Sequence, residues 1–389
     1  MFNSSRITKN EQCPCGSGKA YKECCLGKPN KEFRAEGEML AVLQKAFKKS
    51  LVKTCLHKSC NAKAKDIILA HALQENKILS QLCIDDEVIM ISPKDQRIEL
   101  LELNNGIREP MFSLDLIHKN KATVHTCFCK KHDDQLFSKI EKSNYPFSSD
   151  SVEQKFLFAY KTFIFEYYKE IASNKFYTNC FREIPQLIKN PMLISQYRQS
   201  QKKKEEMEYY KNFFDKRIED KTYSDLITIV KKLPYRVNFS NYSCIAPFFG
   251  IDGKLIRTIK NKRMRRVFIT IFPENESESN ILISVCKEDW QIYENFINQM
   301  DQASIEQLKY YLNIILPFYS ENIVISPKLW SLWTEEQKRF VQFMLNEVKP
   351  QKHLLTFSMV LRKLYKQGKT ITEEDLAKMK INLFEQIEW

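Results

Sequence analysis

Four cysteines within thirteen residues constrain the N-terminus of this chain more than any other feature of its sequence. They are Cys13, Cys15, Cys24 and Cys25 of the segment CPCGSGKAYKECC. Four thiolates suit a tetrahedral Zn²⁺ ion in a site that is closed to water and therefore structural. Because so short a segment has no core of its own, its folding should depend on the metal. The sequence therefore predicts a structural zinc site here.

The residues between these cysteines fit the same interpretation. Pro14 stiffens the Cys-x-Cys turn, and Gly16 and Gly18 permit the positive φ angles that such a turn needs. The eight residues between the second and third cysteines suffice for one short helical turn. Lys19 and Lys22 would offset part of the negative charge of four thiolates.

This segment resembles the SEC-C motif, named for the zinc-binding tail of the bacterial preprotein-translocase motor ATPase. That motif reads C-P-C-G-S-G-K-x-[YF]-K-x-C followed by Cys or His, and every defined position matches. The resemblance implies zinc and a docking role, because the motif is appended to many unrelated bacterial proteins. In the translocase the tail contacts an acidic export chaperone and the ribosome. No G-x-x-x-x-G-K-[ST] nucleotide-binding loop accompanies it here.

A second set of metal-binding residue types follows the first. The simplest arrangement is a single zinc ion bound by Cys55, Cys60, Cys129 and His132. The first pair would lie on a knuckle and the second pair at the start of a helix near residue 133. This order, with strands in between, resembles a treble-clef zinc finger. Cys127 is an alternative ligand, and so is the histidine at position 71.

Treble clefs also occur in HNH nucleases, in which a histidine activates water beside a divalent ion. His71 follows the strand-like segment DIILA and is the candidate general base, while Asp133 is the candidate ligand for that ion. The chain departs from the HNH pattern at Ala70, where an acidic residue usually precedes the histidine. A lone histidine on an apolar segment is also more often structural.

Positive charge is clustered in this chain. The formal net charge is +13, and residues 1–60 hold twelve Lys and Arg against five Glu. Clusters of this kind are typical of a polyanionic partner, namely nucleic acid, the ribosome or an acidic protein, although general solubility is the alternative. A second cluster is the candidate nucleic-acid-binding strip, with no acid among its members: Lys254, Arg257, Lys260, Lys262, Arg263, Arg265 and Arg266.

The chain has the length and the hydrophobic content, 389 residues and 43%, of a folded protein with two or three domains. We predict an α+β fold with a zinc module over 1–30, a second zinc domain over 31–145 and a helix-plus-antiparallel-sheet region over 146–389. Neither a secretory signal nor a membrane-spanning segment is expected, so the twelve cysteines should be reduced and the protein cytoplasmic.

The pattern of apolar residues predicts the order of the elements. We expect a helix over 31–50, strands in the middle of 51–145, long helices over 151–232, strands over 233–288 and mostly helices afterwards. Thr334 with Gln337, and Thr372 with Asp375, resemble capping boxes at helix starts. The function that these features favour is docking on a polyanion, and the alternatives are a metal-dependent nuclease and a protein–protein adaptor.

Overall fold

The chain divides into two units in a computed structural model, which describes residues 6–91, 98–102, 108–142, 144–256, 264–346 and 351–387. The first unit is made of the described residues of Met1–Leu69, Thr126–Lys130 and Ile164–Lys216. The second unit is made of the described residues of Ala70–His125, Lys131–Phe163 and Arg217–Trp389. The domain boundaries expected after residues 30 and 145 rest on the sequence alone and stay predictions.

The ten α-helices of the described chain hold more of its residues than the strands do. Two are long: the third helix spans 32 residues and the fourth spans 30. They are α1 (Glu36–Lys48), α2 (Lys130–Glu141), α3 (Val152–Glu183), α4 (Pro191–Asp220), α5 (Trp290–Gln302), α6 (Ile305–Tyr319), α7 (Pro327–Leu332), α8 (Glu335–Leu345), α9 (Gln351–Lys366) and α10 (Glu373–Ala377).

Eleven strands in the described residues form one large sheet and two pairs. The strands are β1 (Ile67–His71), β2 (Glu87–Ile91), β3 (Ile98–Glu102), β4 (Arg108–Phe112), β5 (Leu114–His118), β6 (Val124–Cys129), β7 (Leu226–Leu233), β8 (Phe239–Ile245), β9 (Val267–Pro273), β10 (Ser279–Cys286) and β11 (Ile323–Ile325). The large sheet is antiparallel in the order β5-β2-β11-β8-β9-β10-β7, while β1 pairs with β6 and β3 with β4.

The core of the second unit lies on the large sheet. Every residue of β8, β9 and β10 is buried. Apolar side chains such as Ile269 and Ile283 pack with Phe296 of α5 and Leu312 of α6 in one hydrophobic cluster. Burial on both faces explains why β9, VFITIFP, reads as an almost continuous apolar run rather than as an alternating pattern.

The structure confirms the expected α+β class and several local details. Capping boxes begin α8 at Thr334 and α10 at Thr372. The helical region expected over 151–232 is too long at its end, because residues 226–233 form β7 instead. The sequence of β7, LITIVKKL, is rich in β-branched side chains, which favour a strand over a helix. Among the described residues, no helix has both the length and the apolar character needed to cross a membrane.

Candidate metal centres

The four cysteines of the first candidate site converge in space. Their sulfur atoms all lie within 4.8 Å of one another, and the sulfurs of Cys15 and Cys24 are 3.4 Å apart. Four sulfurs at tetrahedral positions around zinc would be about 3.8 Å apart, because each Zn–S bond is about 2.3 Å long. Cys13, Cys15 and Cys25 are buried and Cys24 is half-buried. The group therefore fits a closed zinc site.

Local backbone geometry holds this turn in place. Gly16 and Gly18 have φ angles of +73° and +76°, as the sequence predicts. The amide of Cys13 donates to the carbonyl of Lys19 at 2.8 Å, which closes the loop between the cysteine pairs. A single 3₁₀ turn, Tyr21–Glu23, then returns the chain to the second pair.

The thiols of this group need a cation to lose their protons together. Burial raises the pKa of Cys13 to about 11 and also raises the pKa of Cys25. Burial alone would raise the pKa of Cys15 too, but hydrogen bonds to Ser17 and to neighbouring cysteines lower it to about 7. Zinc binding would replace the remaining protons, since only thiolates bind zinc.

Within the first unit, the zinc loop packs on α3 and α4. Tyr21 is 5% exposed and shares a hydrophobic cluster with Phe181, Ile194 and Tyr197. The rings of Phe181 and Tyr197 meet edge to face at 5.4 Å between centroids. The loop is too short to form a hydrophobic core of its own, and it packs instead against apolar side chains of these two helices.

One arginine joins this loop to α3 through polar contacts. Arg182 donates from Nε and Nη2 to the carbonyl oxygen of Cys15, at 3.2 and 3.1 Å. Gly16 lies so close to the same helix that a β-carbon there would be 2.8 Å from Cγ2 of Thr178. Gly16 is therefore required for its close approach as well as for its φ angle, whereas a β-carbon on Gly18 would have no neighbour within 4 Å. The sequence contains no signal for these long-range contacts.

The second candidate site contains the four side chains that the sequence predicts as ligands of a single zinc ion. The ligand atoms of Cys55, Cys60, Cys129 and His132 lie within 4.8 Å of one another, and the sulfurs of Cys60 and Cys129 are 3.8 Å apart. This group can also bind zinc. The alternative ligand Cys127 is fully buried and lies outside the group.

The knuckle of this second site is fixed to β6 by the backbone. The amides of Thr54 and Leu56 donate to the carbonyls of Thr126 and Cys127, at 3.1 and 2.9 Å. Tyr168 adds a hydrogen bond from its hydroxyl to the carbonyl of Val52 at 2.7 Å. Burial raises the pKa of Cys55 to about 12, so this thiol too needs a cation to ionise at neutral pH.

His71 ends β1, and both nitrogens of its ring lie near oxygen atoms of the second unit. Its Nδ1 is 3.0 Å from the carbonyl oxygen of Ala122, which a ring N–H can donate to, and its Nε2 is 3.6 Å from a carboxylate oxygen of Glu75. Burial, with a smaller contribution from the Lys161 cation, lowers the pKa of His71. A neutral ring with this tautomer has its lone pair on Nε2.

The candidate ligand Asp133 is half-buried near other charged side chains. One of its carboxylate oxygens, Oδ1, is buried and has no hydrogen-bond partner among the described residues. Burial raises the pKa of Asp133 to about 6, against the opposing effect of the Lys161 cation. Lys161 itself is buried and pairs with Glu141. In the described part of the chain, neither His71 nor Asp133 belongs to a group of three or more metal-ligating side chains.

The basic strip is described only in part, since Arg257, Lys260, Lys262 and Arg263 lie outside the described residues. Lys254 is exposed and its ammonium is 3.4 Å from the carboxylate of Asp252. Arg265 pairs with Asp289 at 3.1 Å, and Arg266 is only 4% exposed. Arg266 directly precedes the buried strand β9, so little of its side chain is exposed for the phosphate contact that the sequence predicts.

Comparison with known proteins adds one match. Residues 10–27 match the SEC-C motif family, which is 18 of the 389 residues, and this confirms the resemblance of the first cysteine group. No curated protein and no solved structure matches the chain significantly. The SEC-C segment and the two groups of ligands together support zinc binding.

Proposed function

We propose that the first unit, stabilised by zinc, docks on a polyanionic partner, with the SEC-C module as the docking element. The observation that carries this proposal is the distribution of charge between the units. The first unit holds 25 Lys and Arg against 13 acids, a net charge of +12, whereas the second holds 36 against 35, a net charge of +1. Charge for general solubility would have no reason to concentrate in one unit.

The exposed surface of the SEC-C module supports this proposal. Lys9, Lys19, Lys22 and Lys28 are all exposed around the buried cysteines. A metal that fixes the backbone beneath these lysines lowers the conformational entropy that is lost on binding. Zinc would thus contribute to affinity by ordering the surface rather than by contacting the partner.

We test this with fluorescence anisotropy on the zinc-loaded protein at low salt. The probes are a single-stranded RNA and a duplex DNA of about 20 nucleotides, long enough for several phosphate contacts, and a polyglutamate peptide. Sedimentation with purified ribosomes provides the fourth partner. The logarithm of the affinity should fall linearly with the logarithm of the salt concentration.

Two matched double variants locate the contact. Changing Lys19 and Lys28 to Gln should weaken binding and reduce the salt slope by about two, or one for each lost phosphate contact. Changing the exposed Lys232 and Lys287 of the second unit to Gln removes the same charge and should leave the slope unchanged. The proposal fails if the protein binds none of the four partners at low salt, or if the two double variants change the affinity and the salt slope equally.

A second candidate function is a metal-dependent nuclease in which His71 is the general base. The lowered pKa of His71 favours it, because a general base must be unprotonated, and a hydrogen bond from Nδ1 to the carbonyl of Ala122 would leave Nε2 to accept the proton. We propose as well that the second zinc group is treble-clef-like, since knuckle, paired strands and helix follow one another in that order. Plasmid DNA and RNA incubated with Mg²⁺ or Mn²⁺ test the nuclease: His71→Ala should abolish cleavage and leave the zinc content intact. Equal cleavage by His71→Ala eliminates this candidate.

The remaining features of the proposal follow from the resemblance. The use of SEC-C modules in bacterial proteins supports a bacterial, cytoplasmic setting for this chain. An adaptor function, in which the region after residue 146 binds another protein, is the third candidate. Light scattering coupled to size-exclusion chromatography, with and without cell lysate, distinguishes an adaptor from a nucleic-acid-binding protein.

A further inference from the structure

An exposed apolar row runs along α9, in the unit that has almost no net charge. Leu355 is 58% exposed and Met359, one helical turn later, is 72% exposed; Val360 lies beside them at 40%. Large apolar side chains rarely stand this far into solvent in a contiguous row without a binding role. The opposite side of the helix is packed, since Leu361 is 4% exposed and contributes to the core.

Positive charge continues this row toward the end of the helix. Arg362, Lys363 and Lys366 are exposed, and none of the three forms an ion pair within the described chain. Residues 351–369 contain no acidic side chain. Residues three and four apart lie on the same helix face, so the row reads Leu355, Met359, Lys363 along one line.

The helix is a rigid support for this surface. Ser358 donates from its hydroxyl to the carbonyl of Gly253 at 2.7 Å. Gly253 has a φ of +70°, and a β-carbon there would be 2.4 Å from the carbonyl oxygen of Ser358. Gly368, with a φ of +60°, ends the helix where its amide donates to the carbonyl of Tyr365 at 3.0 Å. A surface held in this way loses little conformational entropy when a partner binds.

We propose that this surface, formed by Leu355, Met359, Val360, Arg362, Lys363 and Lys366, docks an amphipathic protein helix with acidic flanks. Charge complementarity favours a negatively charged partner, because three cations that form no ion pair with the described residues adjoin the apolar row. The aliphatic row favours a peptide over nucleic acid, since leucine and methionine offer no contact to phosphate. A peptide is also favoured over a lipid surface, because the main apolar side of α9 is packed in the core and only a narrow row remains to insert.

This inference deepens the adaptor candidate, because it names the surface and the chemistry of the protein partner, and it does not rest on polyanion docking by the first unit. The probe is a fluorescent peptide of about 18 residues, long enough to be helical, with leucines at helical spacing flanked by glutamates. Its matched control carries glutamine in place of each glutamate. Vesicles of phosphatidylcholine with phosphatidylserine, and a single-stranded RNA, are the other arms of the same experiment.

Two variants of the full-length, zinc-loaded protein test the surface. Met359→Ser and Lys363→Glu should each weaken binding of the acidic peptide by about fivefold to tenfold, through lost apolar burial and reversed charge respectively. The matched controls are Met192→Ser, at a methionine that is 63% exposed on α4, and Lys287→Glu. These controls should change the affinity less than about twofold.

The expected result is saturable binding of the acidic peptide, weaker binding of the glutamine peptide, and sensitivity to the two α9 variants alone. The inference is overturned if the wild-type protein does not bind the acidic peptide saturably, or if both peptides bind equally. It is also overturned if Met359→Ser and Lys363→Glu impair binding of vesicles or RNA and leave peptide binding unchanged. All of these side chains are exposed, so their substitution should not unfold the protein, and circular dichroism verifies this.

Discussion

Removing the Tyr21 ring should detach the zinc loop from α3 and α4 in the first unit. Tyr21 is only 5% exposed and packs in a cluster with Phe181, Ile194 and Tyr197. Truncation of a buried aromatic side chain to alanine typically costs about 3–5 kcal/mol. The loop is small enough to open locally, so we expect this cost to appear in the local opening equilibrium. A cost of about 3 kcal/mol increases the open fraction by about two orders of magnitude.

The assay is the rate at which zinc passes from the protein to a coloured chelator. Tyr21→Ala should accelerate release of one zinc ion on the order of 100-fold when release follows local opening. Tyr21→Phe is the matched control and should change the rate by less than about threefold, because it keeps the ring that packs in the cluster. The reasoning is refuted if Tyr21→Ala releases zinc as slowly as the wild type, since the packing on the helices would then contribute nothing to the site.

Further predictions concern the neighbouring residues and the effect of pH. Gly16→Ala should destabilise the loop by at least about 1–2 kcal/mol because of its φ angle and its approach to α3, and Gly18→Asn should be tolerated; hydrogen exchange of the loop amides distinguishes the two. Arg182→Met should accelerate zinc release, because the carbonyl of Cys15 loses two charge-assisted hydrogen bonds worth about 1–3 kcal/mol; unchanged release would contradict this role. Burial lowers the pKa of His71 in the folded protein, so as the pH falls the unfolded state binds a proton at this residue before the folded state does. The free energy of unfolding should therefore decrease as the pH drops below about 6.5, the ordinary pKa of histidine. A pKa of His71 above this value, measured by nitrogen NMR, would contradict the prediction.

Features with local causes were predictable from the sequence. The cysteine spacing and the two glycines of the SEC-C segment predict the turn, because both the metal geometry and the positive φ angles depend on neighbouring residues. The capping box at Thr334 is confirmed for the same reason, since its partners are three residues apart. The buried aromatic stripe of α3, from Phe156 to Tyr167, also follows from local helical spacing.

Features that depend on distant residues were not predictable in this way. Arg182 is 167 residues from Cys15, and nothing in either local sequence indicates their contact. Residue pattern alone also assigned Arg266 to a phosphate-binding strip, and it contains no signal that this side chain is buried in the folded chain. The exposed row on α9 was not predictable either, because its apolar spacing is like that of a core helix and only the exposed fractions of Leu355 and Met359 distinguish the two.

The zinc content of the purified chain tests the central claim most directly. Inductively coupled plasma mass spectrometry of protein purified without chelator should give two zinc ions per chain. Cys24→Ser and Cys60→Ser should each lose one ion, and the double variant should lose both. A wild-type value of one or none, or a Cys24→Ser protein that still holds two ions, would contradict the assignment of these two groups as separate zinc sites.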